Sequence, residues 1–380
     1  MSERLKILLA GMVAGDPRQG GATWAVLQYV AGFSELGHEV MLVEPVAVEA
    51  LEPKGDVVRY FDSLPFLEGS GALLAQGTEE TVGLPYTDLL EFANGADLLL
   101  NISGMLRDQR LLEAVSVRAF LDLDPGFNQV WEATGSEMGI GRHTHCVTVG
   151  TRVGADDCSV PTLGRRWIHT LPPVALGHWP RAEEPPRRSA FTSVGHWRSY
   201  GSIDHDGVRY GQRAHSMREL FELPCRSGER FELALGIHPD EIDDLRALRE
   251  NDWALLDPYE VAGDPDLYAS FVRSSKAELG VAKSGYVNSR SGWFSDRSAA
   301  FLASGRPVVA QDTGLAELLP TGEGLLLFND VEEAVTRVQE VSANPGGHGR
   351  AARDLAEDIF DARKVLPRLL EQLAAPGDKI

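Results

Sequence analysis

Short apolar runs alternate with amphipathic segments along the whole chain. Residues 5–13 are almost continuously apolar, as expected for a strand that is buried on both faces of a parallel sheet. A glycine-rich loop at 14–21 follows, and apolar residues then recur with helical spacing over 24–36. A second apolar run at 39–45 completes a strand–loop–helix–strand unit, in which the loop meets the N-terminus of the helix. Phosphate groups are commonly bound at such a corner.

The same alternation predicts an α/β protein with two domains. Five prolines between residues 171 and 189 forbid regular structure there and indicate an interdomain linker. Further buried strands are expected at 96–103, 118–125, 146–150, 190–197, 230–237, 253–258 and 276–283. Helices are expected at 240–251, 265–274, 330–342 and 349–373.

Composition and charge limit the classes of partner. A chain of 380 residues with 43% hydrophobic and 24% charged residues is typical of a globular protein with two cores. The net charge of −20 leads us to expect no nucleic-acid partner and no stable membrane association. There is no apolar run of membrane-spanning length, the N-terminus lacks signal-peptide features, and Cys146, Cys158 and Cys225 lack metal-binding spacing. We therefore expect a cytoplasmic protein with reduced thiols. The sequence leaves open whether the protein forms a homodimer.

Residues 284–314 carry the clearest indication of a ligand site. Ser295 is expected to cap a short helix because its hydroxyl can accept a bond from a first-turn amide, and Asp296 lies at the positive end of the helix dipole. Gly305 should end this helix before a short strand and a polar loop. The pattern suits a phosphorylated ligand, although a surface turn would look similar. The candidate binding residues here are Ser291, Ser295, Asp296, Arg297, Ser298, Asp312, Thr313 and Gly314.

Three cations add to this site. Arg198, Arg213 and Lys283 lie at predicted strand ends or helix starts, and in so acidic a chain they are candidates for a diphosphate clamp. Each one alone could equally be a solvated surface charge. In the first loop, Gly20 and Gly21 let backbone amides approach a ligand, or simply form a tight turn. The loop lacks the GxGxxG pattern, which argues against a nicotinamide cofactor.

In these blocks the chain resembles glycosyltransferases of the GT-B type. The blocks that carry the resemblance are the Gly20–Gly21 loop, Gly37-His-Glu-Val40, Gly195-His-Trp-Arg198, Gly211-Gln-Arg213, the segment 255–271 and the strand in 303–314. The resemblance implies two Rossmann-like, doubly wound domains that face each other across a cleft, with a nucleotide-diphosphate sugar held mainly by the second domain. The expected parts are an acceptor domain at 1–175, a linker at 176–189, a donor-binding domain at 190–360, and a C-terminal helix at 361–380 that packs back on the first domain.

The chain departs from this family at two places. Many retaining members carry a pair of glutamates, and here Gly292 and Ala300 occupy those positions. The His-x-Gly signature of many inverting members is also absent from the region around Trp293. The stereochemical course of the reaction therefore stays open.

A base that activates the acceptor would belong to the first domain. Candidates are Asp16 in the first loop, Asp122 and Asp124 at the end of a buried strand, and His143 and His145, which share one face of a strand. Asp124 could instead be a turn former before Pro125, and His143 a structural hydrogen-bonding residue.

The resemblance thus implies a hexosyltransferase-like enzyme that acts on a small soluble acceptor such as a natural product or other metabolite. It implies a nucleotide sugar as co-substrate, with no metal and no obligatory cofactor. Two alternatives stay open: a nucleotide-sugar epimerase or hydrolase of the same fold, and a degenerate protein that only binds a nucleotide sugar.

Overall fold

The chain folds into two mostly parallel β-sheets with helices on both faces. The computed structural model describes residues 4–182 and 185–375; residues 1–3, the linker residues 183–184 and residues 376–380 of the expected C-terminal segment lie outside the described residues. In the first half the strands are β1 (Lys6–Ala10), β2 (Glu39–Val46), β3 (Gly71–Ala75), β4 (Thr81–Gly83), β5 (Leu98–Ile102), β6 (Arg118–Asp122), β7 (His145–Thr148) and β8 (Trp167–His169). The helices of this half are α1 (Gly20–Glu35), α2 (Asp56–Asp62), α3 (Tyr86–Asn94), α4 (Gln109–Ala114) and α5 (Phe127–Ala133).

The second half repeats the architecture with a smaller sheet. Its strands are β9 (Phe191–His196), β10 (Ile203–His205), β11 (Val208–Tyr210), β12 (Phe231–Gly236), β13 (Ala254–Leu255), β14 (Ala277–Gly280), β15 (Val308–Gln311) and β16 (Leu325–Phe328). Its helices are α6 (Arg213–Arg218), α7 (Leu223–Ser227), α8 (Ile242–Glu250), α9 (Pro258–Ala262), α10 (Pro265–Ser274), α11 (Ser284–Asn288), α12 (Asp296–Ala303), α13 (Val331–Ala343), α14 (Pro345–Leu355) and α15 (Ala362–Leu373).

The strand order places the ends of the central strands at one cleft. Within the described residues the first sheet runs β4-β3-β2-β1-β5-β6-β7-β8, the second runs β13-β12-β9-β14-β15-β16, and β10 and β11 form a separate two-stranded antiparallel sheet. Apart from the antiparallel β3–β4 pair, the strands of the two larger sheets are parallel, so their carboxyl ends share one edge. β1 pairs with β2 on one side and with β5 on the other, which explains its continuous apolar sequence.

The halves are joined by a continuous apolar core, and the segment predicted as a linker takes part in it. Trp179 in this segment is fully buried, and its ring lies 5.1 Å from that of Trp24 in α1 and 6.0 Å from that of Tyr268 in α10. Proline does exclude long regular structure here, but the segment is a packed strap rather than an exposed spacer. The Trp24 indole also donates a hydrogen bond to the Pro265 carbonyl at 2.9 Å.

The helix expected at 349–373 is wrong in one respect, because the structure divides it into α14 and α15. A π-helical turn, Ala356–Phe360, ends at Asp361, whose backbone leaves the helical region with ψ of 122°. The Asp361 carboxylate then caps α15 by accepting a bond from the Arg363 amide at 2.9 Å. After this break α15 packs against α1 of the first half, where Leu366 approaches the Cα side of Gly32 closely. No helix of the described residues is both long and apolar enough to cross a membrane.

Gly20 sets how closely the halves approach each other. A Cβ atom at this position would stand 2.1 Å from the backbone carbonyl oxygen of Asp264 and 2.8 Å from that of Ala262. We expect Gly20→Ala to lower the free energy of unfolding by about 1–3 kcal/mol, because rigid backbone must move to admit the methyl group. Denaturant titration measures this, and Gly201→Ala is the control because no atom lies within 4 Å of its added Cβ. An equal, small effect of both substitutions would contradict the packing role of Gly20.

Candidate functional site

A cavity of about 420 Å³ lies between the two sheets, at the carboxyl ends of their central strands. The first half contributes the start of α1 and the loops that follow β1, β5 and β6. The second half contributes the ends of β9 and β12, the loop after β14, and the starts of α6, α9 and α12. Carboxyl ends of parallel strands are where open α/β sheets bind ligands. Predicted site residues in its wall are Gly20, Gly21, Asp124, Arg213, Lys283, Ser295, Asp296 and Arg297.

Arg213 is the cation in this wall that is best placed for an anionic ligand. It begins α6, is 8% exposed, and donates hydrogen bonds to the carbonyls of Val281 at 3.0 Å and His196 at 3.1 Å. No carboxylate among the described residues forms an ion pair with it. Burial, with the nearby charge of Arg297, lowers the pKa of the Arg213 guanidinium to about 9, which leaves it cationic at neutral pH. An unpaired buried cation beside a cavity is suited to bind phosphate.

Lys283 and Asp124 meet across the cleft. The Lys283 ammonium donates to the Asp124 carboxylate at 2.9 Å and to the hydroxyl of Tyr200. The hydroxyls of Tyr200 and Tyr286 also donate to this carboxylate. Burial lowers the pKa of Lys283, while burial and the Asp124 charge raise the pKa values of both tyrosines. Three donors already occupy the Asp124 carboxylate, so in this arrangement it joins the two halves and is poorly disposed to accept a proton from an acceptor.

The loop that carries Asp124 is held by a second carboxylate. Asp122 is fully buried at the end of β6 and accepts bonds from the side chains of Asn128 and Gln129, both at 2.6 Å, and of Thr148 at 2.8 Å. Burial raises the pKa of Asp122 to about 6. The polar end of a buried strand therefore fixes the direction of the following loop.

The start of α12 confirms the predicted local structure. Ser295 is the N-cap, and its hydroxyl accepts a bond from the Arg297 amide at 3.2 Å. The helix ends before Gly305, which has a φ of +68°. Asp296 is the first residue of the helix and lines the cavity.

Arg297 differs from the free cation that the sequence analysis expected. Its guanidinium forms an ion pair with Glu278, which is fully buried in β14, and donates to the Val194 carbonyl at 3.2 Å. One guanidinium nitrogen and one Glu278 oxygen have no hydrogen-bond partner among the described residues. Since the pair is close to neutral, Arg297 contributes less charge to the cavity than Arg213 does.

The structure does not bring all predicted residues to the cavity wall. Arg198 pairs with Glu241 and lies outside the cavity wall. The spacing of cations along the chain therefore wrongly included Arg198 in the diphosphate clamp. His143 is buried, and its ring contacts the Asn101 amide at 3.1 Å and the Gly139 carbonyl at 2.9 Å, which is a structural role. Burial lowers its pKa to about 4. Asp16 is exposed and lies outside the cavity wall. Burial lowers the pKa of the nearby His196 ring, and the negative charge of Asp16 opposes this.

Most of the polar loop after β15 is also structural. Asp312 accepts bonds from the amides of Gly314 and Leu315 at 2.8 and 2.7 Å, and the Thr313 hydroxyl donates to the Trp293 carbonyl at 2.7 Å. These bonds close a turn and leave the side chains outside the cavity wall. Ser291, Ser298, Thr313 and Gly314 are buried, and none of them lines the cavity.

The first glycine-rich loop serves packing more than ligand binding. Glu44, fully buried in β2, accepts bonds from the amides of Val13, Ala14 and Gly15 at 3.0, 2.8 and 2.7 Å. Burial raises the pKa of Glu44, and the three amide bonds oppose this. Glu44 thus occupies the amides that directly follow β1, whereas Gly20 and Gly21 at the start of α1 line the cavity.

Four aromatic residues of the wall were not identified from the sequence. Tyr259, Tyr268, Tyr286 and Trp293 face the cavity, and the Tyr286 and Trp293 rings stack at 4.4 Å. Arg18 stacks on Tyr259 at 4.7 Å. None of the four was singled out in the sequence, but Tyr259 and Tyr268 lie within the segment 255–271 that carries the resemblance, and Trp293 lies beside the predicted helix start. Among the described residues, no group of three or more His, Cys, Asp or Glu side chains could hold a metal ion.

Comparisons with known proteins give a family match for part of the chain and a fold match for the whole chain. Residues 245–370 match the model of a family described as glycosyl transferase-like. Over the whole chain, an alpha-glucosyltransferase in complex with UDP-glucose and DNA containing an abasic site is similar, with a TM-score of 0.63 and 14% identity over 97% of this chain and 98% of that one. Anabaena Alr3699/HepE in complex with UDP and glucose gives a TM-score of 0.60 and 12% identity, over 98% and 100%. A glycosyltransferase from Rickettsia africae ESF-5 gives 0.54 and 12%, over 98% of each chain. No curated protein sequence matches the chain.

The chain therefore has the GT-B fold, and residues 245–370 match a glycosyl transferase-like family model, which confirms the resemblance that the sequence indicated. The expectation of no nucleic-acid partner is wrong. An alpha-glucosyltransferase that shares this fold has been solved with DNA, both with the abasic site and with an HMU base. Net charge is a sum over the whole surface and does not decide the potential within one cleft.

Proposed function

We propose that the protein is a glycosyltransferase that uses a uridine diphosphate sugar as donor. The observation that carries the proposal is Arg213, a buried guanidinium without a carboxylate partner among the described residues, in the wall of the interdomain cavity. The glycosyl transferase-like domain supports the activity. UDP or UDP-glucose in several structures of the same fold supports the choice of base and diphosphate.

The proposed reaction uses the charges of the second half at the leaving group. The bond between the anomeric carbon and the β-phosphate oxygen breaks, and UDP departs with the electron pair. The oxygen of an acceptor hydroxyl bonds to the anomeric carbon and gives up its proton, so that the net reaction releases UDP and one proton. Arg213, which no carboxylate among the described residues pairs with, stabilises the charge that develops on UDP. The acceptor enters from the first half, past Met12, Ser103 and Leu123.

Ligand-dependent stability tests the donor first. We expect UDP to raise the unfolding midpoint more than GDP or dTDP does. A ligand that binds only the native state increases the free energy of unfolding by mass action, by about 2.7 kcal/mol when its concentration is a hundredfold above its dissociation constant. Differential scanning calorimetry with each nucleotide measures this. Release of UDP from UDP-glucose is then measured with and without acceptors, including sugars and hydroxymethylated DNA duplexes. Lack of stabilisation by every nucleotide would contradict the donor, and release that no acceptor accelerates would contradict the transferase.

A further inference from the structure

Two carboxylates line the cavity within the described residues, and their surroundings differ. Asp124 is held by Lys283 and two tyrosine hydroxyls. Asp296 has no hydrogen bond from any side chain of the described residues, although it faces the same cavity. Other acidic groups nearby are also engaged: Glu278 by Arg297, and Glu44 by three loop amides. Asp296 is therefore the carboxylate in this wall that no side chain of the described residues engages; only first-turn amides bond to it, and its remaining acceptor capacity is open to a ligand.

The protein only partly offsets the free-energy cost of burying the Asp296 carboxylate. Burial raises its pKa; the Arg297 charge and the first-turn amides oppose this only in part. The Arg297 guanidinium is turned toward Glu278. Behind Asp296 lies a second cavity of about 20 Å³, whose wall includes Tyr29, and the buried hydroxyl of this tyrosine has no partner among the described residues. An unpaired carboxylate in such a place costs stability unless a bound group satisfies it.

We propose that Asp296 accepts hydrogen bonds from hydroxyl groups of the bound nucleotide sugar. The inference rests on the proposed function, since it concerns the same donor. The carboxylate cannot serve the diphosphate, because like charges repel, whereas the unpaired guanidinium of Arg213 in the same wall can. Hydroxyls are the donors that the nucleotide sugar offers, and they come either from the ribose or from the transferred sugar. Ala300 occupies the position of one of the two glutamates that many retaining GT-B enzymes carry. Asp296 lies one helical turn before Ala300 on the same face of α12, so it supplies a carboxylate near that position.

Calorimetric titration of the wild type and of Asp296→Asn with UDP and with UDP-glucose tests this inference. A hydrogen bond to a charged group implies a loss of affinity of about ten- to a hundredfold. An equal loss for both ligands assigns the bond to the ribose, and a loss for UDP-glucose alone assigns it to the transferred sugar. Unchanged affinity for both ligands would overturn the inference while the donor itself stays established. If the wild type bound neither ligand, the proposed function would fall first, and this inference with it.

Two controls separate binding from structure. Asp266→Asn removes another first-turn carboxylate, exposed on α10 and outside the cavity wall, and should leave both affinities unchanged. Asp296→Asn should unfold at about the same temperature as the wild type, because the Arg297 charge and the first-turn amides partly offset the cost of burying this carboxylate. A clear drop in its unfolding midpoint would show that the carboxylate serves the fold, and would also overturn the inference.

Discussion

Replacing Arg213 with methionine should weaken UDP binding by about a hundredfold. The substitution keeps the length of the side chain but removes the cation from the cavity wall. Charge-assisted hydrogen bonds contribute about 1.5–3 kcal/mol each, and about 2.8 kcal/mol corresponds to a hundredfold change in affinity. Isothermal titration with UDP measures the effect. Arg213→Lys should bind with intermediate affinity, because a point charge replaces the planar fork.

Arg198→Met is the matched control for this prediction. Arg198 follows β9 and pairs with Glu241 outside the cavity wall, so its replacement should change UDP affinity by less than about threefold. Arg213→Met also leaves the carbonyls of Val281 and His196 without their donor, and circular dichroism must show that it is folded. Equal affinities of the two methionine variants for UDP would contradict the assignment of Arg213.

Arg297→Met should lower the free energy of unfolding by about 3–5 kcal/mol. It leaves the carboxylate of Glu278 buried without a partner, and breaking a buried pair from one side has an effect of this size. Urea denaturation measures the loss. From its position at a helix start, Arg297 is expected to bind phosphate, and its loss would then weaken binding more than folding. The ion pair with Glu278 reverses that expectation.

The double variant Arg297→Met with Glu278→Leu should recover most of this stability. Replacing both members of a buried ion pair by apolar residues is often neutral or stabilising. The coupling between the two sites is then read from the double-mutant cycle. If the double variant were as unstable as the sum of the single ones, the pair would not explain the loss.

Glu278 shows how a signal in the sequence can be missed. It stands inside the apolar run predicted at 276–283, and a glutamate in a strand that is buried on both faces needs a partner. Glu44, inside the run at 39–45, carries the same signal. Neither partner could be named from the sequence, because Arg297 and the amides of the first loop lie 19 and about 30 residues away along the chain.

By itself, the sequence determined the local elements. The apolar runs located most of the strands in both sheets, and the pattern at Ser295 and Gly305 located both ends of α12, because capping and burial depend on neighbouring residues. The resemblance of ordered blocks indicated the GT-B fold.

Only the tertiary structure decided which polar residues share the cavity. Ion pairs and hydrogen bonds form between segments that are distant in the chain. Arg198 and Arg297 have carboxylate partners, whereas Arg213 has none among the described residues, and position along the sequence did not reveal this difference. The same reason explains why Asp124 is engaged and Asp296 is not. Whether a charge is available to a ligand depends on what folding places beside it.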